Sequence, residues 1–268
     1  MTYTVIIVLT VYLSSPLTFS DSDTLSFTRP GDKPLRGGQK KLVIKDMGNH
    51  INSHSCNSVP YRLALIDSSS ISKCHTIAVS QLYNNNIDII EVTSHHIKIK
   101  RTLQTSQQYC IVASIDRQTL AVENTWGGGT INLLDMSGQI LRQLSFSEQT
   151  RYMVATADKG LLCATVGNKI TKIDTATGAV TFDVTVPQIH LLRAFAINLD
   201  GSLLVLDSKQ STLHLVSAQG IWIKKLWELP QDFGDTFQKA QLWNVSVDNS
   251  VCVCVTEHGA LYILDCVH

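Results

Sequence analysis

The sequence has no excess of either charge: 22 lysines and arginines balance 22 aspartates and glutamates over 268 residues. That excludes a whole-chain electrostatic pull toward nucleic acid or an anionic membrane, though not a local basic patch. Charged residues are few, 16% against 44% apolar, a composition that supplies a core and excludes intrinsic disorder. Long apolar stretches are missing too. The run Thr4 to Leu13 has ten residues, too few to cross a bilayer as a helix. No segment keeps a period of about 3.6 residues over a dozen positions, so no long helix is expected. The seven cysteines are odd in number and include no C-x-x-C pair. That argues against a disulfide framework and a zinc site, and for buried free thiols. G-x-S-x-G, P-loop and H-E-x-x-H motifs are all absent. No catalytic residue, metal site or cofactor is expected on these grounds, and the chain reads as a non-enzyme.

The N-terminus has its own character. Thr4 to Leu13 is followed by Ser14, Ser15, Pro16 and the small residues around Phe19, a pattern similar to a secretory signal peptide without its basic start. Residues 1–20 therefore read as a signal peptide or an atypical N-terminal extension. The missing basic start favours a cytoplasmic protein; cleavage would make it a secreted one. Residues 21–60 are polar and broken by Pro30-Gly31-Asp32 and Gly37-Gly38. Within them Lys41 to Lys45 (KLVIK) is a candidate strand.

From residue 61 to 268 short apolar, β-branched runs alternate with Asp, Asn, Ser and Gly, the pattern of strands and hairpins. The runs repeat. Asp67, Asp116, Asp158, Asp200 and Asp248 each follow a first strand, at separations of 49, 42, 42 and 48. Gly138, Gly178 and Gly220 end a later turn, at separations of 40 and 42. Two independent markers with one period define a repeat of strand, Asp turn, strand, longer turn, strand, Gly turn, strand. Asp accepts hydrogen bonds from backbone two residues on, and Gly takes positive φ without a steric cost. Runs such as Leu203 to Leu206 and Val251 to Val255 are apolar at consecutive positions, which implies burial of both sheet faces. Sheets stacked around an axis satisfy that requirement and leave only short edges. The expectation is an all-β propeller of four-stranded antiparallel blades, five readable and six if residues 20–60 add more strands. In this reading the last blade stops at its third strand, and KLVIK supplies the fourth.

The stretch Leu192 to Leu226 (LRAFAINLDGSLLVLDSKQSTLHLVSAQGIWIKKL) resembles an NHL-type repeat, and Thr130 to Leu141 (TINLLDMSGQIL) adds to the likeness. The resemblance covers about residues 60–266 and is similar to the propeller ends of tripartite-motif (TRIM) proteins of invertebrates. The usual Pro before the first strand and the Asn-Arg of the second turn are absent. The resemblance implies a substrate-recognition module that binds a protein or RNA, without the RING that carries ligase activity.

Five residues are candidates for binding. His96, Lys98 and Lys100 alternate with Ile97 and Ile99 on one strand, so one face carries the charges; they form either a phosphate-contacting edge or a solvated outer strand. Trp126 stands before three glycines in a loop, and Phe233 lies in a lengthened connection, Pro230 to Phe237. The expected role is a scaffold that binds a protein partner through one rim. An RNA-binding propeller, a secreted binding propeller and, last, a metal-dependent propeller hydrolase are the alternatives.

Overall fold

The computed structural model describes residues 59–228, apart from 70–73, 83, 94–96, 125–128 and 199, together with the backbone of seven flanking strands. Those before residue 59 are β1 (Tyr3–Ile7), β2 (Asp23–Arg29), β3 (Lys41–Asp46) and β4 (Asn49–Ser55), paired in that order.

Four four-stranded antiparallel blades form the body of a β-propeller. Blade 1 is β5 (Val59–Ser69), β6 (Cys74–Leu82), β7 (Asn86–Val92) and β8 (Ile97–Gln104). Blade 2 is β9 (Ile111–Asp116), β10 (Thr119–Glu123), β11 (Thr130–Asp135) and β12 (Ile140–Ser145). Blade 3 is β13 (Thr150–Ala155), β14 (Gly160–Thr165), β15 (Lys169–Asp174) and β16 (Val180–Thr185). Blade 4 is β17 (Leu192–Ile197), β18 (Leu203–Asp207), β19 (Thr212–Val216) and β20 (Trp222–Glu228). The chain then forms a three-stranded sheet of β21 (Leu242–Asp248), β22 (Val251–Thr256) and β23 (Leu261–Asp265). Successive first strands are neighbours, β5 with β9, β9 with β13, β13 with β17 and β17 with β21, so they line the axis.

The hydrophobic core is a series of slabs between blades. Val112, Leu120, Val122 and Leu134 of blade 2 pack toward Ala78, Ile87 and Leu103 of blade 1. The alternate residues Ile111, Ala113, Ala121 and Ile131 pack toward Met153, Leu161 and Cys163 of blade 3. This period of two along each strand serves both neighbours at once, which is why the sequence is apolar at consecutive positions. Each fully buried Leu or Ile contributes about 1.5–3 kcal/mol. Burial falls off outward: every residue of β14 and β18 is buried, whereas the outer strand β12 buries only Leu144.

The two turn markers act as the sequence implies. Asp116 and Asp200 accept the backbone N–H two residues on, from Gln118 at 2.9 Å and Ser202 at 2.8 Å. Gly138, Gly178 and Gly220 have φ of 90°, 78° and 79°. Gly220 is also crowded: a Cβ there would lie 2.4 Å from Val184 Cγ1 of blade 3.

The blade count needs correction. The expectation of five or six four-stranded blades gives way to a body of four, because the sheet after blade 4 holds three strands. The strand chosen to complete it, β3, pairs with β2 and β4 in a separate N-terminal sheet. Nothing in the KLVIK motif distinguishes one open sheet edge from another, since edge pairing is carried by backbone groups common to all residues. β1 approaches β22 and β2 approaches β5, so the N-terminal sheet lies between the last sheet and the first blade.

Candidate functional site

Antiparallel pairing places the start of each first strand beside the end of the second and the start of the third. Basic side chains gather at that end of the axis. Arg62 of blade 1 donates from Nη2 to the carbonyl of Arg151 in blade 3, at 3.4 Å. Only around the axis, where first strands converge, can side chains bridge blades that are not neighbours. Arg151 in turn donates to the carbonyl of Leu192 in blade 4, at 3.3 Å. The next residue, Arg193, occupies the position in β17 that Arg151 holds in β13: each is the extra residue of a bulge against the second strand. The three arginines thus mark a staircase through blades 1, 3 and 4.

Arg151 is partly buried, and its side-chain hydrogen bonds go to neutral oxygens, Asn168 Oδ1 at 3.0 Å and Leu192 O. Burial lowers its pKa with no carboxylate opposing that shift. Asn168 also accepts the backbone N–H of Leu192 at 3.2 Å and donates to the carbonyl of His190 at 2.8 Å. His190 stands on the same rim, half-exposed, with Nδ1 3.3 Å from Oδ2 of the fully buried Asp207. Asp207 is fixed by backbone N–H groups of His190 (2.7 Å), Leu191 (3.1 Å) and Lys209 (2.9 Å). A buried carboxylate holding one imidazole nitrogen while the ring stays open to solvent is an arrangement able to transfer protons.

The opposite end of the axis carries the turn aspartates in an ion-pair ladder: Arg117 to Asp67 at 2.7 Å and Lys159 to Asp116 at 3.5 Å, each linking a blade to the one before. Lys172 and Thr156 hold Asp158 down to about 2. No group of three or more His, Cys, Asp or Glu placed to hold a metal occurs among the described residues.

The described candidates read from sequence are not at the arginine cluster. Lys98 and Lys100 are exposed on β8, the outer strand, three strands out from the axis-lining β5, and Lys100 pairs with Glu91 at 2.7 Å. His96, Trp126 and Phe233 lie outside the described residues. Sequence reading missed Arg151, Arg193, His190 and Asp207. A signal for the arginines was present: Arg151 and Arg193 are 42 residues apart, the period of Asp158 and Asp200.

No family model matches the chain, NHL-type and tripartite-motif families included, and no curated protein matches it significantly. Solved structures do. One is a catalytically inactive variant of virginiamycin B lyase from Staphylococcus aureus, with a histidine replaced by alanine, in complex with quinupristin. It matches with a TM-score of 0.59 and 14% identity over 92% of this chain and 78% of that one. A protein of unknown function from Bacteroides caccae matches with a TM-score of 0.59 and 10% identity, over 82% and 86%. The fold is a β-propeller. At these identities the likeness carries the fold alone. It does correct one expectation: a chain of this architecture can be an enzyme, so the lack of a short catalytic motif is no ground for calling this propeller a non-enzyme. Propeller side chains that act together come from different blades, where no local motif records them. No helix among the described residues is long and apolar enough to cross a membrane.

Proposed function

We propose that this propeller binds a protein partner by an acidic segment laid across the end of the axis where Arg62, Arg151 and Arg193 stand near the starts of their strands. The observation that carries this reading is Arg151, a partly buried guanidinium whose hydrogen bonds go to neutral oxygens. A cation partly withdrawn from water without an anion beside it gains from an arriving carboxylate. The NHL-type resemblance of Leu192 to Leu226 supports a protein as partner. Fluorescence anisotropy with labelled Glu/Asp-rich, neutral and Lys-rich peptides, and with single-stranded RNA, at low and moderate salt tests the reading. Retention of the acidic peptide alone, weakened by salt, supports it; no retention at low salt, or preference for RNA, overturns it.

The His190–Asp207 pair favours a second reading, in which the same rim performs proton transfer on a bound substrate. The structural likeness to a lyase is consistent with it. Mass spectrometry of quinupristin incubated with the purified protein and with His190→Ala tests one substrate directly. An elimination within one molecule leaves its mass unchanged, so conversion is read from chromatographic retention and fragmentation. A new species with the wild type and not with the variant supports the reading, and unaltered retention and fragmentation remove the support drawn from that neighbour.

A further inference from the structure

Both hydrogen bonds that the Arg151 side chain makes to the described residues leave from one nitrogen, Nη1, to Asn168 Oδ1 at 3.0 Å and to Leu192 O at 3.3 Å. A guanidinium has five N–H donors, and Nη1 supplies two. The other three lie on Nε and Nη2. That edge carries two parallel N–H vectors matched in spacing and plane to the two oxygens of a carboxylate. Among the described residues nothing hydrogen-bonds this edge, and neither nitrogen is among the buried polar atoms left without a partner. The edge therefore opens to solvent.

Asn168 fixes the plane. Its φ is 61°, a left-handed conformation uncommon for a residue other than glycine and tolerated best by asparagine and aspartate. From this turn its amide ties three segments together, the Arg151 guanidinium, the backbone N–H of Leu192 and the carbonyl of His190. Strained residues of this kind persist where the surroundings over-determine them, a frequent property of ligand clamps. The guanidinium is thus ordered before any ligand arrives, which removes much of the entropy cost of using a long side chain as a receptor.

We propose that the Nε–Nη2 edge of Arg151 is a preorganised bidentate receptor for a planar oxyanion, a side-chain carboxylate of the acidic segment, with Asn168 as its positioning residue. The inference rests on the binding reading above and deepens it. Shape, and not charge alone, then sets the affinity.

Isothermal titration of an acidic peptide into the full chain and four variants tests it. Arg151→Lys keeps the charge and loses the fork; the expected loss is on the order of 10- to 100-fold, close to that of Arg151→Gln. Asn168→Gly keeps the left-handed turn and removes the anchor, and a loss of several-fold or more is expected. Arg142→Ala, an exposed arginine on β12, leaves affinity unchanged. Circular dichroism of each variant confirms folding. Wild-type affinity in Arg151→Lys overturns the fork while leaving the charge-based reading intact. Wild-type affinity in Arg151→Gln overturns the site. A phosphoserine peptide that binds more tightly, with the same loss in Arg151→Lys, overturns the assignment to carboxylate.

Discussion

Glu123, the last residue of β10, accepts the backbone N–H of Thr150 in the next blade at 3.2 Å, and the Thr150 hydroxyl bonds to its second oxygen. The carboxyl is fully buried, and burial outweighs both hydrogen bonds, raising its pKa above the ordinary 4.5. A carboxyl whose pKa is raised by folding holds its proton longer in the native state than in the unfolded chain. Its favourable contribution is therefore complete below pH 4.5 and is lost as pH rises through the native value. The urea midpoint of the wild type relative to that of Glu123→Gln should fall as pH rises across that window. Glu123→Ala leaves the Thr150 N–H without its partner and should cost about 1–3 kcal/mol.

Gly220 and Gly178 occupy the same turn in blades 4 and 3, with φ of 79° and 78°. Their surroundings differ. A Cβ at Gly220 would meet Val184 at 2.4 Å and Phe182 at 2.7 Å, whereas one at Gly178 would find its nearest neighbour at 3.6 Å. Gly178→Ala should therefore cost only the conformational penalty, about 1 kcal/mol. Gly220→Ala adds overpacking against blade 3 and should cost about 1–3 kcal/mol more. Chemical denaturation of the two variants side by side checks the order, and equal losses would show that the blade contact yields without strain.

Trp222 donates its indole N–H to Nδ1 of His214 at 3.0 Å, and Nε2 of His214 lies 2.8 Å from the Thr212 hydroxyl. With Nδ1 accepting, the ring is neutral and its proton sits on Nε2. Burial lowers the His214 pKa below 6.5, the nearby Asp207 opposing this only in part. The unfolded chain binds the proton more readily, so the stabilisation is present above pH 6.5 and is lost as pH falls through the native value. Denaturation midpoints should drop between pH 7.5 and pH 5, and His214→Gln should flatten that dependence. Trp222→Phe keeps the ring contact and should cost about 1 kcal/mol.

Much of the fold was legible because its markers are local. Asp116 and Asp200 order the backbone two residues ahead, and Gly138, Gly178 and Gly220 take a φ that other residues resist; both effects need no tertiary context. The buried central strands were legible for a related reason, since the run Leu203 to Leu206 is apolar on both faces. The outer strands were less so. Ile223 of β20 and the adjoining Ile221 are apolar yet 48% and 67% exposed, because β20 has a sheet neighbour on one side only. The candidate site was the least legible part. Arg151 gains its meaning from Asn168 and Leu192, 17 and 41 residues away, and Asp207 looks like another strand-ending turn aspartate until the fold places His190 beside it. The binding candidates chosen from sequence were conspicuous by type, a lone Trp126 and a row of lysines, and the described ones lie at the perimeter.

The crystal structure of the chain with a bound acidic peptide tests the central claim most directly. The account predicts one peptide carboxylate seated on Arg151, its two oxygens about 2.7–2.9 Å from Nε and Nη2, with the peptide lying at the end of the axis that carries Arg62 and Arg193. A peptide found on the outer strand against Lys98, or at the aspartate-bearing end of the axis, would contradict it.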